Sequence, residues 1–158
     1  MRILVVSDSH GDFSSLKKVY TRENQENGLD LLIHLGDGVL DALRLRRISQ
    51  LPLEAVNGNN DPKEAFPDQL CIKLAGIRVF CCHGHHFNLP SGLKTLLSFA
   101  HRAQADLAFF GHTHQHFTQK KKGLTLINPG AICRWEKDPG YILLEIEAGR
   151  YRLVRHPL

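Results

Sequence analysis

Short apolar runs alternate with amphipathic stretches through the first third of the chain. Ile3-Leu4-Val5-Val6 is a continuous apolar run, as expected of a strand buried on both faces. Asp12 follows as a helix cap, and Phe13, Leu16, Val19 and Tyr20 fall on one face at helical spacing. Leu31-Leu32-Ile33 is the second run, succeeded by a helical pattern through Val39, Leu43 and Arg47. Leu53 to Val56 makes a weaker third strand. Strand, helix, strand, helix, strand predicts a parallel α/β sheet.

The pattern then changes. Cys71 to Leu74, Ala75-Gly76 and Ile77 to Cys82 predict a hairpin. A helix with Leu93, Leu96, Leu97 and Ala100 on one face precedes the apolar run Leu107 to Phe110. Phe117 to Gln119 and Leu124 to Ile127 flank a Lys120-Lys121-Lys122-Gly123 turn, whose lysines would also protect an edge strand from aggregation. Tyr141 to Ile146 and Tyr151 to Arg155 form a last hairpin across Ala148-Gly149. A mixed sheet, or two packed sheets with helices outside, accounts for this order. There is no repeat, low-complexity segment or linker, and 158 residues suit one compact domain, so residues 1–158 are expected to form a single domain.

Five of the apolar runs end alike, in Asp, Asn or His beside glycine. Val6 leads into Ser7-Asp8-Ser9-His10-Gly11, Leu35 into Gly36-Asp37-Gly38, and Val56 into Asn57-Gly58-Asn59-Asn60-Asp61. Cys82 leads into His83-Gly84-His85-His86, and Phe110 into Gly111-His112-Thr113-His114. Ligands of open α/β sheets bind outside the carboxyl ends of the strands, so these residues are expected to converge. Taken singly, each segment is a turn, a cap or a hydrogen-bonded core histidine. A purely structural origin would need five coincidences at five strand ends, which favours a metal centre.

Composition sharpens this. Seven of the ten histidines lie between His83 and His116, whereas Cys71, Cys81, Cys82 and Cys133 form no CxxC pair and are read as small buried apolar residues. Imidazole, carboxylate and amide donors without thiolate suit Mn²⁺ foremost, with Ni²⁺, Fe²⁺, Zn²⁺ and Co²⁺ also admitted, rather than Ca²⁺ or an iron–sulfur cluster. Asp8, His10, Asp37, Asn59, His83, His112 and His114 are too many for one ion and fit two divalent ions sharing a carboxylate. The net charge of +4 is spread along the chain, and no aromatic–basic motif supports nucleic-acid binding. No apolar run is long enough to span a membrane, and the run at Ile3 is too short for a signal peptide, so a cytoplasmic location is expected.

Asp-x-His, Gly-Asp, Gly-Asn-x-Asp, His-Gly-His and Gly-His-x-His, in that order, resemble the calcineurin-like metallophosphoesterases. Ile127-Asn128-Pro129-Gly130 resembles the small prokaryotic phosphodiesterase branch of that superfamily. The resemblance covers Ile3 to Gly130 and implies a four-layer α/β/β/α sandwich, two mixed sheets face to face with helices outside. It implies Asp8, His10 and His114 on one metal, Asn59, His83 and His112 on the other, and Asp37 bridging. Two departures stand out. Asn60 occupies the place where many members carry a histidine that helps the leaving group depart. Leu40 occupies the place of a second acid, so Asp41 is expected to be a helix-surface residue without a role.

The function expected from these residues is hydrolysis of a small phosphodiester by a hydroxide bridging two metals. Asp37, Asn59, Asn60, Asp61 and His85 would form the reacting surround. Asp61 is expected to orient a ligand, and His85 to bind phosphate or donate a proton. His86 could share that role, and His116 could support a ligand. His34 should be structural, with His101 and His156 on the surface. The rival expectation is a weakly active or inactive scaffold for protein–protein assembly, as in one branch of the superfamily, but a scaffold does not need seven ligands. Homo-oligomerisation is left open by the sequence.

Overall fold

A computed structural model describes every residue except Pro90. Among the described residues, ten strands and three helices follow in chain order. They are β1 (Arg2–Val6), α1 (Phe13–Asn27), β2 (Leu31–His34), α2 (Val39–Ser49), β3 (Leu53–Ala55), β4 (Gln69–Leu74), β5 (Ile77–Cys82), α3 (Leu93–Arg102), β6 (Leu107–Phe109), β7 (Phe117–Lys121), β8 (Leu124–Asn128), β9 (Gly140–Glu147) and β10 (Arg150–Pro157). A single 3₁₀ turn, His85–Phe87, follows β5 and was not expected from the sequence.

The strands form two five-stranded sheets, ordered β10-β9-β1-β2-β3 and β4-β5-β6-β8-β7. In the first, β1, β2 and β3 are parallel, while β9 and β10 are antiparallel additions. In the second, β5, β6 and β8 are parallel and β4 and β7 are antiparallel edges. Both sheets are therefore mixed. The exposed Lys120 and Lys121 lie on edge strand β7, where charge discourages further pairing.

Side-chain alternation explains the layering, because successive residues of a strand face opposite sides. Ile3 and Val5 meet Val79, Cys81, Leu107 and Phe109 between the sheets. Leu4, Val6 and Leu32 face outward against Leu16, Val19, Ala42 and Leu45 of α1 and α2. On the far side Phe80, Cys82, Ala108 and Phe110 pack on Leu96 and Ala100 of α3. The result is the expected α/β/β/α sandwich. Asp12 caps α1 by accepting from the Ser15 amide at 3.2 Å, as expected. Cys81, Cys82 and Cys133 are buried, but Cys71 is exposed on edge strand β4, contrary to the expectation of burial.

Candidate metal centre

Within each sheet the parallel strands end on the same side, and the loops that leave β1, β2, β3, β5 and β6 meet there. Asp8, His10, Asp37, His112 and His114 all adopt positive φ, between 46° and 66°. Left-handed backbone costs a non-glycine residue roughly 1–3 kcal/mol, and such strain clusters where function demands it. Two glycines make the approach close enough. A Cβ at Gly58 would collide with the Asp37 carboxylate, and one at Gly111 with the Ser7 hydroxyl beside Asp8.

The donors form two overlapping groups. Asp8, His10 and His114 have ligand atoms within 4.8 Å of one another, and so do Asp8, Asp37 and His83. His114 Nε2 lies 3.2 Å from Asp8 Oδ1 and 3.2 Å from His10 Nε2. His83 Nε2 lies 3.5 Å from Asp37 Oδ2 and 4.0 Å from Asp8 Oδ1. Asp37 Oδ2 is also 3.9 Å from His10 Nε2, so Asp37 faces both groups. Asp8 faces both as well, although the family resemblance implied one group only. The His112 ring lies 5.1 Å from that of His83, and its backbone N–H donates to Asp8 Oδ2 at 3.1 Å. Asn59 is exposed in the loop after β3 and makes no hydrogen bond to this cluster, although its neighbours Asn60 and Asp61 bond to Asp37.

Asp8 Oδ1 and His83 Nε2 are both buried without a hydrogen-bond partner, although Asp8 and His83 are fully shielded from solvent. Orphaned buried polar atoms need an explanation. A carboxylate oxygen and an imidazole nitrogen facing the same space fit a cation. His83 Nδ1 meets the Leu35 carbonyl at 2.7 Å, and His114 Nδ1 meets Glu136 Oε1 at 2.8 Å. Each contact places the proton on Nδ1 and leaves Nε2 as the lone-pair donor, the arrangement metal-binding histidines use.

Charge is arranged to match. Burial opposes ionisation of Asp37, but His83 and the Asn60 N–H groups outweigh it and hold its carboxyl well below the usual range. The Asp8 carboxylate raises His114 to about 9, with Glu136 adding to the effect. Burial lowers His83, yet neighbouring Asp37 and Asp8 bring it above its ordinary value. Burial and the surrounding histidines lower both His85 and His112.

Supporting contacts fix the loops. Asp61 accepts from the backbone N–H groups of Asp37 (2.7 Å), Gly38 (2.8 Å), Val39 (3.0 Å) and Gly58 (2.9 Å). It therefore shapes the Asp37 loop through its backbone. Asn60 donates to Asp37 Oδ2 from its side chain at 2.6 Å and to Oδ1 from its backbone at 2.8 Å. Asp41 corrects the sequence expectation: it is buried, accepting from Ser9 Oγ at 2.7 Å and from the Gly11 amide at 2.9 Å. Position three after the α2 N-terminus points it back at the His10 loop rather than into solvent. His34 is structural as expected, accepting from the Gly36 amide and meeting Ser9 Oγ at 3.2 Å, and burial pushes its pKa down to about 4.

Among the other histidines, His85 lies with its ring 5.3 Å from His83 and 6.3 Å from His112. His86 points outward to Asp68 at 3.5 Å, and His116 Nδ1 meets the Asn128 carbonyl at 2.9 Å. His101 is exposed, but His156 is half-buried and stacked on Tyr141, not free on the surface. Two supporting roles were not expected from the sequence, although Asn128 itself belongs to the Ile127–Gly130 motif. Asn128 donates to the Gly111 carbonyl (2.8 Å) and to Thr113 Oγ1 (3.1 Å), bracing the His112–His114 loop. Glu136 lies in a segment without periodicity, and no local pattern marks it.

This fold and donor set are those of the metallophosphoesterases. Residues 1–149 match the calcineurin-like phosphoesterase superfamily domain, and the chain belongs to that family. It is similar to the probable metallophosphoesterase YsnB of Bacillus subtilis, with 33% identity over 93% of this chain and 85% of that protein. Phosphodiesterase MJ0936 of Methanocaldococcus jannaschii is 26% identical over 98% of each chain. A predicted phosphoesterase structure from Streptococcus pneumoniae superposes with TM-score 0.79 at 26% identity, covering 99% of this chain and 88% of that one. Vps29 from Entamoeba histolytica superposes with TM-score 0.77 at 20% identity, covering 100% and 99%, a likeness of fold alone. Among the described residues no helix is long and apolar enough to cross a membrane.

Proposed function

We propose that the chain is a two-metal phosphodiesterase acting on small phosphodiesters, with Mn²⁺ as the foremost ion. The observation that carries this reading is the pair of overlapping donor groups around the buried, unpartnered Asp8 Oδ1 and His83 Nε2. Asp8, His10 and His114 would hold one ion, and Asn59, His83 and His112 the other, with Asp37 between them. When bound, such ions hold phosphate oxygens and lower the pKa of water from 15.7 towards about 7, which supplies a nucleophile near neutral pH. Asn60 orients Asp37 by donating to it, and Asp61 fixes the loop that presents Asp37. His85, with its ring 5.3 Å from that of His83 and 6.3 Å from that of His112, would meet the phosphate or its leaving group.

Diesters are favoured over monoesters by likeness to a relative named as a phosphodiesterase. The scaffold alternative has no observation of its own in its favour, since a degraded site would not be expected to keep so many converging donors. Elemental analysis of Mn²⁺-loaded protein should find close to two ions per chain, and Asp37→Ala should lose both together. A panel of mono- and diesters, assayed on metal-stripped protein with each ion restored, checks the activity. Full diesterase activity with a stable single ion would refute the two-metal reading.

A further inference from the structure

A cavity of about 320 Å³ shares His112 with the metal centre, walled on one side by Leu93, Phe110 and Phe117 and on the other by the polar His112, Thr113, Gln115 and His116. Small-molecule sites are concave, mostly apolar and marked by a few fixed polar groups, with volumes from roughly 300 Å³ upward. This cavity has that character. The Phe110 and Phe117 rings lie 5.9 Å apart and tilted at 57°, and Phe110 is buried against Ala108 and Leu96 in the layer beneath α3. The His116 ring is oriented by its contact with the Asn128 carbonyl, and Asn128 also braces the loop carrying His112.

His112 belongs at once to the cavity wall and to the proposed ligand set. An ester carbon is separated from phosphorus by a single oxygen. Because His112 is shared by the two, a phosphate held at the metal centre would have this cavity within reach of one of its alcohol groups. Elsewhere around the centre the neighbours are polar: Asn59 and Asn60 are exposed on one side, and the exposed His86–Asp68 pair lies on another. At the lower end of ligand-pocket volumes, the cavity suits one compact ring rather than a long acyl chain or an oligonucleotide.

We infer that this cavity is the alcohol subsite of the enzyme and that its preferred substrates are phosphodiesters carrying one compact aromatic or apolar alcohol. The inference rests on the proposed phosphodiesterase function. Leu93, Phe110 and Phe117 select the alcohol by apolar contact.

Calorimetric titration of the Mn²⁺-loaded full chain with methylphosphonate and phenylphosphonate tests this by binding rather than turnover. Phenylphosphonate should bind about tenfold more tightly, the order expected from burying most of one ring. Leu93→Trp, which fills the cavity, should bring the ratio close to one, and Phe117→Ala, which removes a wall, should lower it several-fold. Equal affinities in the wild-type protein, or no binding of either probe, would overturn the subsite. So would a phenyl preference that survives both substitutions in folded variants. Hydrolysis of bis(4-nitrophenyl) phosphate is measured alongside. If the phenyl preference holds while no diester is hydrolysed with any ion, the phosphodiesterase reading fails and takes the substrate preference with it, while the apolar pocket beside the metal centre stands.

Discussion

Glu136 holds the His114 imidazole from behind, its Oε1 2.8 Å from Nδ1. Loss of such an outer partner typically weakens metal affinity about 10–100-fold. Glu136→Gln should show that loss in a competitive Mn²⁺ titration, with the fold retained by circular dichroism. Asn60 poses a different question, because a carboxamide has no proton to deliver to a departing alkoxide near neutral pH. Its side chain donates to Asp37 instead. Aryl phosphodiesters should therefore be hydrolysed much faster than alkyl ones, and Asn60→His should narrow the gap by speeding the alkyl substrates. General-acid assistance is typically worth about 10²–10⁴-fold, which sets the ceiling for that gain. If instead His85→Ala selectively slows substrates with poor leaving groups while Asn60→His changes little, the proton comes from His85. The motif residues were legible because they cluster with glycine at the ends of apolar runs. Glu136 was not, because its role arises from a contact 22 positions away in sequence.

Helix α1 is tied to its sheet by a buried polar knot as well as by apolar packing. Glu23 accepts from Arg2 Nη2 at 2.5 Å and from Arg22 Nε at 3.2 Å, and the Tyr141 hydroxyl donates to it. The knot joins α1, β1 and β9. Burial alone would raise the Glu23 pKa, but Tyr141 and Arg2 outweigh it, so the pKa is lowered. The sign follows: a lowered folded value means that the unfolded chain binds the proton more readily. The stability Glu23 contributes is thus fully present above the ordinary carboxylate range and lost as pH falls through its lowered value. Removing one member of a buried ion pair commonly costs about 3–5 kcal/mol. Glu23→Gln should lose about 3 kcal/mol at pH 7 in urea denaturation, and its stability should fall less than that of the wild type on acidification. Equal acid sensitivity in both proteins would contradict this account. In the sequence, Glu23 looks like one more charge on a polar helix, and only the docking of α1 reveals it as buried.

At the scale of the whole molecule, the parallel strands of two different sheets carry their loops to one place. The strain at Asp8, His10, Asp37, His112 and His114 is tolerated because the four-layer core over-determines those loops. Ligand binding to the folded state alone should relieve the crowding of carboxylates and imidazoles. Mn²⁺ at a hundred times its dissociation constant should stabilise the chelator-treated protein by about 2.7 kcal/mol. For a chain of this size that corresponds to a rise in melting temperature of about 5–10 °C. Differential scanning calorimetry with and without Mn²⁺ reads the shift directly, and an unchanged melting temperature would count against a resident metal.

The sequence by itself determined the element order and the donor types, because strand periodicity and turn chemistry are local, whereas the sandwich was implied only by the resemblance of the ordered motifs to a known family. Val6, Leu35, Val56, Cys82 and Phe110 each announce a loop by the glycine-bracketed polar residues that follow. Only the tertiary structure decided that Asp8 faces both donor groups, that Asp41 is buried beneath the His10 loop, and that Asp61 works through four backbone amides. These depend on which loops the two sheets bring side by side. That juxtaposition follows from packing Ile3 and Val5 against Val79 and Phe109, a contact between residues more than 70 positions apart that no local pattern encodes.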